Sequence, residues 1–248
     1  MGRRFSLVFC VCFSCLILFG CKTISRSRPE FKLPPNMVII SFDDGPNIHN
    51  DTTTRLLDVL KKHEITAMFS LLGERCEVYP DLVRRIYDEG HYIINHGYSD
   101  KLISKMDSRE FEENLLMGEA AINSALGKEY NLKLYRPHGG FYNLWQENYC
   151  IEKGYTIIPA DIRVYDAIES ERNKNKIVKK VLRKVIRRSG GIILLHDARD
   201  SYYRTEEMLS RNPNSSFNRS WIPDVTEEII NSLTEKGFTI GKPDFIIP

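Results

Sequence analysis

The sequence predicts a parallel α/β fold in which short buried strands alternate with amphipathic helices. Residues 37–40 and 192–195 are continuous apolar runs, which are typical of strands covered on both faces of a parallel sheet. Five further segments have a strand-like pattern: residues 67–71, 91–95, 132–135, 155–160 and 238–240. Strands that alternate with helices favour a parallel sheet, and periodicity alone leaves open whether that sheet is open or closed into a barrel.

Apolar stripes at helical spacing predict the helices between these strands. The predicted helices are residues 53–62, 80–89, 107–126, 174–188 and 224–236. The third has clear ends, because Asp107 and Glu110 have the spacing of a capping box and Gly127 favours termination. The fourth carries many Lys and Arg residues, which we expect to form a solvated outer face.

Residues 200–222 are predicted as one long irregular loop, rich in Ser, Asn, Arg and Tyr. Loops of this length are uncommon and are often functional. The sequence leaves two uses open for Tyr202, Tyr203 and Trp221. They either stack on a bound ligand or pack the loop against the domain.

An N-terminal stretch is expected to precede the folded domain. A charged start leads into an apolar run at 7–19, which is shorter than the roughly 20 residues of a membrane-spanning helix. The run ends just before Cys21, an arrangement that resembles a bacterial lipoprotein signal with the lipid on this cysteine. We therefore predict a signal peptide at 1–20, a flexible tether at 21–35 and the domain at 36–248. An uncleaved anchor or an ordinary secretory signal is the alternative, and either also exports the domain.

The charge balance and the cysteine content exclude few classes of function. Residues 1–20 contain two arginines and no acid, so the rest of the chain has 33 basic and 33 acidic residues. This balance gives no reason to expect a nucleic-acid partner, and no protein partner is implied. Cys76 and Cys150 could pair in an oxidising compartment, but we expect ordinary semi-buried thiols.

Five clusters of polar residues follow predicted strands. The clusters are Asp43 with Asp44 after the first strand, His96 with Asp100 after the third, residues 136–140 after the fourth, residues 161–166 after the fifth, and His196 with Asp197 at the end of the sixth. Active sites of parallel α/β folds collect at the carboxyl ends of the strands, so these side chains are expected to converge. A single cluster would carry little weight, but five in succession are hard to explain by chance.

These residue types suit a metal-assisted reaction. Neighbouring residues at a strand end point in different directions, so one of Asp43 and Asp44 can bind a cation while the other faces a water. His96 and Asp100 are four residues apart and would share one face of a helical turn, and both side chains ligate divalent metals. Arg136 can hold a nearby carboxylate ionised. The alternatives are a polar turn at the aspartate pair and a capping Asp beside a packed His.

Together the motifs resemble the polysaccharide deacetylase (NodB-homology) domain of carbohydrate esterase family 4. The sequence SFDDGP at 41–46 is similar to the family's first and highly specific motif. The resemblance continues through Asn-His at 95–96, Arg-Pro at 136–137 and Leu-Leu-His at 194–196, and it includes the last helix and strand. It implies a distorted (β/α)7 barrel of parallel strands with outer helices.

The resemblance also implies roles for individual residues. The implied catalytic residues are Asp43 as general base, Arg136 as the residue that orients it, His196 as general acid and Asp166 as the residue that orients the acid. The implied oxyanion donor is the backbone around Gly139 and Gly140. The implied cofactor is one divalent metal ion held by Asp44, His96 and Asp100, with zinc first and cobalt, nickel or manganese as alternatives.

This chain departs from the family pattern at four positions. Asp100 stands where the family has a second metal-binding His, and Gly97 stands where Ser or Thr is usual. Gly139, preceded by His138, replaces an aromatic residue, and Ala167 replaces a Trp. A site with two carboxylates and one imidazole is more negative and favours harder metals. The lost aromatic residues would otherwise frame the acetyl group, so the departures bear on the substrate.

The function expected from the sequence is metal-dependent removal of N-acetyl groups from amino sugars of an envelope glycan such as peptidoglycan. The protein is expected to be exported and lipid-anchored to a membrane. Alternatives are O-deacetylation of a xylan-like polysaccharide, hydrolysis of small non-sugar amides, and a catalytically inactive glycan-binding lipoprotein. Retention of Asp43 and His196 together with their partners Arg136 and Asp166 argues against the inactive form.

Overall fold

A computed structural model describes residues 33–242 and Asp244, and it shows one curled parallel sheet surrounded by helices. The strands are β1 (Met37–Gly45), β2 (Met68–Leu71), β3 (Tyr92–Asn95), β4 (Leu134–Tyr135), β5 (Thr156–Ile157), β6 (Ile162–Arg163), β7 (Gly190–His196) and β8 (Thr239–Ile240). Their order is β5-β4-β3-β2-β1-β7-β6, and β8 pairs with the start of β1. All these pairings are parallel, which confirms the predicted distorted barrel. Short β6 was not predicted as a separate strand.

Within the described residues, eight α-helices cover this sheet. They are α1 (Thr52–Lys62), α2 (Gly73–Val78), α3 (Pro80–Asp88), α4 (Ser108–Leu126), α5 (Leu144–Glu152), α6 (Lys174–Arg188), α7 (Tyr202–Arg211) and α8 (Ile222–Glu235). The five predicted helices are α1, α3, α4, α6 and α8. Helix α7 corrects the expectation of an irregular loop, because the Ser201 side chain accepts a hydrogen bond from the backbone N–H of Arg204 and caps a polar helix.

The ends of α4 follow from its sequence. The Asp107 side chain accepts from the backbone N–H of Glu110, and the Glu110 side chain accepts from the backbone N–H of Asp107. Gly127 ends the helix with a φ of 65°, a left-handed conformation that costs glycine little. Both terminal signals read from the sequence are thus present in the structure.

On the two sides of β1, the core follows the period-2 pattern of the strand. Val38, Ile40 and Phe42 face outwards and pack against the helices in the main apolar cluster. Ile39 faces inwards and packs inside the barrel, where the buried cluster also contains Met68, Ile94, Leu134, Ile158 and Ile192. Odd-numbered residues of β1 therefore line the barrel interior.

The structure bears on the two domain cysteines but hardly on the predicted membrane anchor. No helix among residues 33–242 has the length and apolar character needed to cross a bilayer. The predicted signal peptide at 1–20, the lipid on Cys21 and most of the tether at 21–35 lie outside the described residues. Cys76 and Cys150 are free and fully buried, more so than the semi-buried thiols expected.

Candidate active site

A cavity of about 340 Å³ opens at the carboxyl ends of the strands. All nine residues predicted for the site line this cavity: Asp43, Asp44, His96, Asp100, Arg136, Gly139, Gly140, Asp166 and His196. Side chains that lie up to 153 positions apart in the sequence (43 to 196) thus face one space. The convergence expected from the strand-end clusters is what the structure shows.

The inward face of each strand leads into this cavity. Ile39 lies in the barrel interior, and two steps of two residues along β1 reach Ser41 and then Asp43. The same step leads from Ile192 in β7 to His196 at its end. Successive inward side chains are two residues apart. They are apolar inside the barrel and become polar at the carboxyl ends of the strands.

Asp44 reaches the same cavity through a β-bulge. In the pairing of β1 with β2, Asp43 is opposite Ser70 and Gly45 is opposite Leu71, so Asp44 is an extra residue. Its φ of 73° lies in the left-handed region, which is uncommon outside glycine. Consecutive strand residues normally point to opposite faces, and the bulge allows both carboxylates to face the cavity.

Asp43 forms a buried ion pair with Arg136. Nη1 of Arg136 donates to Asp43 Oδ1 at 2.5 Å and to Ser41 Oγ at 3.0 Å. Both residues are less than 5% exposed. Although burial opposes ionisation, the Arg136 charge holds the pKa of Asp43 well below its usual range. The second oxygen, Oδ2, lies 3.7 Å from Nε2 of His96 on the cavity side.

His196 and Asp166 form a second buried pair across the cavity. Nδ1 of His196 lies 3.0 Å from Asp166 Oδ1, and the backbone N–H of His196 donates to Asp166 Oδ2 at 2.9 Å. Burial lowers the pKa of His196, but the charge and hydrogen bond of Asp166 outweigh it and raise the value to about 9. The imidazole is therefore a cation at neutral pH, with a proton to donate.

Asp44, His96 and His138 form a group that can hold a metal ion. One ligand atom from each lies within 4.8 Å of the other two. Asp44 Oδ1 is 3.4 Å from Nε2 of His96 and 3.6 Å from Nδ1 of His138. Donors about 2.0–2.1 Å from a tetrahedral zinc ion are roughly 3.3 Å apart, so these spacings fit.

Hydrogen bonds of the two imidazoles support the same assignment. Nδ1 of His96 is 2.6 Å from the carbonyl of Arg136, and Nε2 of His138 pairs with Asp100. Each contact leaves the other ring nitrogen directed at Asp44. Asp44 Oδ1 and His138 Nδ1 are buried without a hydrogen-bond partner among the described residues. Such orphaned atoms require a partner, and a cation would satisfy them together.

The structure differs from the predicted role of Asp100. Asp100 lies outside the group of three and pairs with His138, whose Nδ1 occupies the third position. The expected helical turn is absent between His96 and Asp100, because Gly97 turns the chain with a φ of 88°. The sequence analysis included His138 in the polar cluster at 136–140 but gave it no ligand role, although its position shortly after β4 was an available signal.

The two glycines predicted as oxyanion donors also differ from each other. The backbone N–H of Gly140 donates to the carbonyl of Pro137 at 2.8 Å, so it is already engaged. Gly139 has a φ of 76° and lines the cavity beside His138. Among the two, only the backbone around Gly139 remains a candidate donor to an oxyanion.

Two buried arginines to which the sequence analysis gave no role support the site. Arg75 donates to the carbonyls of Pro46 at 3.3 Å and Asp200 at 3.1 Å, which ties the loop after β1 to the loop after β7. Arg219 donates to Asp166 Oδ2 at 2.6 Å. Arg75 ends the Leu-Gly-Glu-Arg stretch at 72–75 that resembles the family, but the sequence analysis assigned neither arginine a role, because the partners of each are distant along the chain.

The segment 200–222 mostly packs against the domain. Trp221 is 1% exposed and stacks under the guanidinium of Arg219 at 4.5 Å. Tyr202 packs edge-on against Tyr79 at 5.6 Å. Tyr203 is 73% exposed. For Trp221 and Tyr202, the packing alternative left open by the sequence is the one observed.

The profile of the polysaccharide deacetylase family matches residues 31–158, which is about half of the chain. This chain belongs to the polysaccharide deacetylase family. The matched range contains the Asp43–Arg136 ion pair and the group of possible metal ligands, and the family resemblance read from the motifs is thereby confirmed. Members of the family use a divalent metal, in agreement with the Asp44, His96 and His138 group.

Several proteins of similar sequence or structure are deacetylases of peptidoglycan or of other acetylated polysaccharides. A peptidoglycan-N-acetylglucosamine deacetylase of Bacillus cereus is 35% identical over 129 residues, which are 52% of this chain and 46% of that protein. This chain thus spans less than half of that relative.

Two solved structures extend the comparison beyond the matched range. The Bc1960 peptidoglycan N-acetylglucosamine deacetylase superposes on this chain with a TM-score of 0.70 and 28% sequence identity. The superposition covers 86% of this chain and 88% of the Bc1960 chain. A family 4 acetyl xylan esterase from Clostridium thermocellum, solved with a cobalt ion, has a TM-score of 0.65 and 25% sequence identity. That superposition covers 83% of this chain and 87% of the esterase chain.

Proposed function

We propose that this deacetylase-family chain is a metal-dependent hydrolase that removes N-acetyl groups from amino sugars of an envelope glycan such as peptidoglycan. One observation carries the proposal: a carboxylate base pair, an imidazole acid pair and a possible metal site all face the same cavity. Amide hydrolysis needs these three elements, since water must be deprotonated, charge must be stabilised and the amine must be protonated.

Asp43 is the proposed general base. Arg136 occupies Oδ1, so Oδ2 is the oxygen available to take a proton from the attacking water. Because the pKa of Asp43 is low, the carboxylate is a weak base, and the water needs further acidification. A divalent cation held by Asp44, His96 and His138 would supply that acidification and would also polarise the acetyl carbonyl.

His196 is the proposed general acid. Its Nδ1 is held by Asp166, so Nε2 is the nitrogen that presents a proton to the cavity. Attack of water forms the new C–O bond, and protonation of the amine by His196 allows the C–N bond to break. Asp43 and His196 exchange one proton each with the reactants, and the products are acetate and a free amino sugar. The backbone around Gly139 is the proposed donor to the oxyanion.

The proposed cation site consists of Asp44, His96 and His138, with Asp100 as the outer carboxylate that orients His138. One carboxylate and two imidazoles form a ligand set common to catalytic zinc sites, which keep further positions open. Zinc is therefore proposed first, and cobalt, nickel or manganese remain alternatives; cobalt is supported by the ion in the acetyl xylan esterase structure.

An N-acetyl substrate is preferred over an ester because of the acid pair. An amine leaves only after protonation, whereas an alkoxide leaving group depends on it less. The raised pKa of His196, about 9, keeps this proton available at neutral pH. Tyr165 and Ile168, both 69% exposed at the cavity rim, supply apolar surface against which a sugar ring can pack. The fold similarity to an acetyl xylan esterase supports O-deacetylation as the second candidate.

Export and lipid attachment at Cys21 complete the proposal and rest on the sequence of residues 1–21. A lipid-anchored domain would lie beside an envelope glycan. Incorporation of a labelled fatty acid into the native chain, and its loss in Cys21→Ser, would support lipidation. Equal labelling of both chains would reject it.

The function is tested by acetate release from a panel of defined substrates. Purified protein loaded with zinc or cobalt is incubated with N-acetylated peptidoglycan fragments, chitooligosaccharides and O-acetylated xylan. Acetate from the first two and little from xylan is the expected result. Preferential release from xylan would establish the second candidate instead, and binding of both zinc and these glycans without acetate release would establish the inactive glycan-binding alternative.

A further inference from the structure

We propose that Arg219 is a positioning residue for the acid half of the site. It holds Asp166, and through Asp166 the imidazole of His196, from outside the cavity. This inference rests on the proposed function, in which His196 protonates the leaving amine. Arg219 lies in the segment 200–222, which the motif pattern left without a role.

The guanidinium of Arg219 contacts both members of the acid pair. Nη2 donates to Asp166 Oδ2 at 2.6 Å, and Nε donates to the carbonyl of His196 at 3.1 Å. Nη1 donates to the carbonyl of Asp166 at 3.0 Å and to that of Glu169 at 3.2 Å. One side chain thus joins the end of β7 to the turn that carries Asp166.

These contacts fix the direction of the Asp166 carboxylate. Oδ2 accepts from Arg219 and from the backbone N–H of His196, which leaves Oδ1 facing Nδ1 of His196. Asp166 and Arg219 are both 0% exposed, so each charge needs the other to offset its desolvation. The planar guanidinium restricts rotation of the carboxylate in a way that a single ammonium donor does not.

Arg219 acts only indirectly, because it is not among the described residues that line the cavity. Trp221 stacks on its guanidinium at 4.5 Å and holds it in place. The base half of the site has a similar arrangement, in which Arg136 holds the Asp43 carboxylate. Each catalytic proton transfer is thus served by one buried arginine, although Arg136 lines the cavity and Arg219 lies behind it.

The test compares an amide with an activated ester in zinc-loaded protein. Arg219→Lys retains charge but loses the planar contacts. On an N-acetylated oligosaccharide, kcat is expected to fall about 10- to 100-fold, part of the roughly 10²–10⁴ that a positioned acid contributes, with KM almost unchanged. Hydrolysis of p-nitrophenyl acetate should fall less than about 3-fold, because p-nitrophenolate leaves without protonation. Equal losses on both substrates, or no loss on either, would overturn the proposal.

Arg55→Lys is the matched control. Arg55 also holds this segment, since it donates to the carbonyl of Ser220 at 2.8 Å, but it contacts Asp224 rather than the acid pair. Its variant should show neither the loss in kcat nor the difference between substrates. If Arg55→Lys reproduced the Arg219→Lys pattern, general anchoring of the segment would explain both and the proposal would fail.

Two measurements cover an unstable variant or an inactive wild type. In an Asp166→Asn background, which has no carboxylate to hold, adding Arg219→Met should lower kcat by much less than the same substitution does in the wild-type background; an equal loss in both backgrounds would contradict action through the Asp166 carboxylate. NMR titration of His196 needs no substrate, and its pKa should fall by at least one unit in Arg219→Lys. An unchanged His196 pKa refutes the inference, whereas wild-type protein that releases no acetate refutes only the proposed function.

Discussion

Replacing His138 is expected to weaken zinc binding more than replacing Asp100. His138 directs Nδ1 at Asp44 Oδ1 from 3.6 Å, within reach of a shared cation, whereas Asp100 contacts the opposite nitrogen of that ring. Loss of an outer partner of this kind costs roughly 10- to 100-fold in metal affinity, or about 1.4–2.8 kcal/mol. His138→Ala removes a proposed ligand itself, so its loss should exceed that range.

Zinc affinity is measured by competition with a chromophoric chelator at one fixed pH. The variants are His138→Ala and Asp100→Asn, and circular dichroism checks that both remain folded. His49→Ala is the control, because His49 pairs with Glu206 at 3.0 Å and does not belong to the candidate metal group. An affinity loss larger in Asp100→Asn than in His138→Ala would refute the assignment and restore Asp100 as the ligand.

Three further predictions concern catalysis and stability. Asp43→Asn and His196→Ala should each lower acetate release by about 10²–10⁴-fold without a change in fold, and near-wild-type turnover in either variant would remove that residue from the mechanism. A chelator should abolish acetate release and added zinc or cobalt should restore it, so activity untouched by the chelator would reject the metal. Burial raises the pKa of Asp197 to about 6, above the roughly 3.9 of an unfolded Asp, so its stabilising effect is present below pH 4 and is lost as the pH rises through 6. In urea unfolding, the free energy of unfolding of the wild type should fall by up to about 3 kcal/mol between pH 4 and 8 because Asp197 ionises. Asp197→Asn should not show this fall, and parallel plots of unfolding free energy against pH would contradict the prediction.

The strands and most of the site were readable from the sequence because they depend on local patterns. A buried parallel strand is a run of apolar residues, and the polar residues that end it must lie at one edge of the sheet. Asp43, His96 and His196 continue the inward face of their strands by steps of two residues. Helix α4 is likewise specified by its own terminal residues.

The sequence by itself determined which edge of the fold carries the chemistry and which residue types collect there. Only the tertiary structure decided which of those side chains meet. The bulge at Asp44, the pairing of Asp100 with His138, and the contact of Arg219 with Asp166 all join residues through space. Ligand and positioning contacts require side-chain atoms within about 3–4 Å, and no spacing along the chain specifies that when the partners come from different loops.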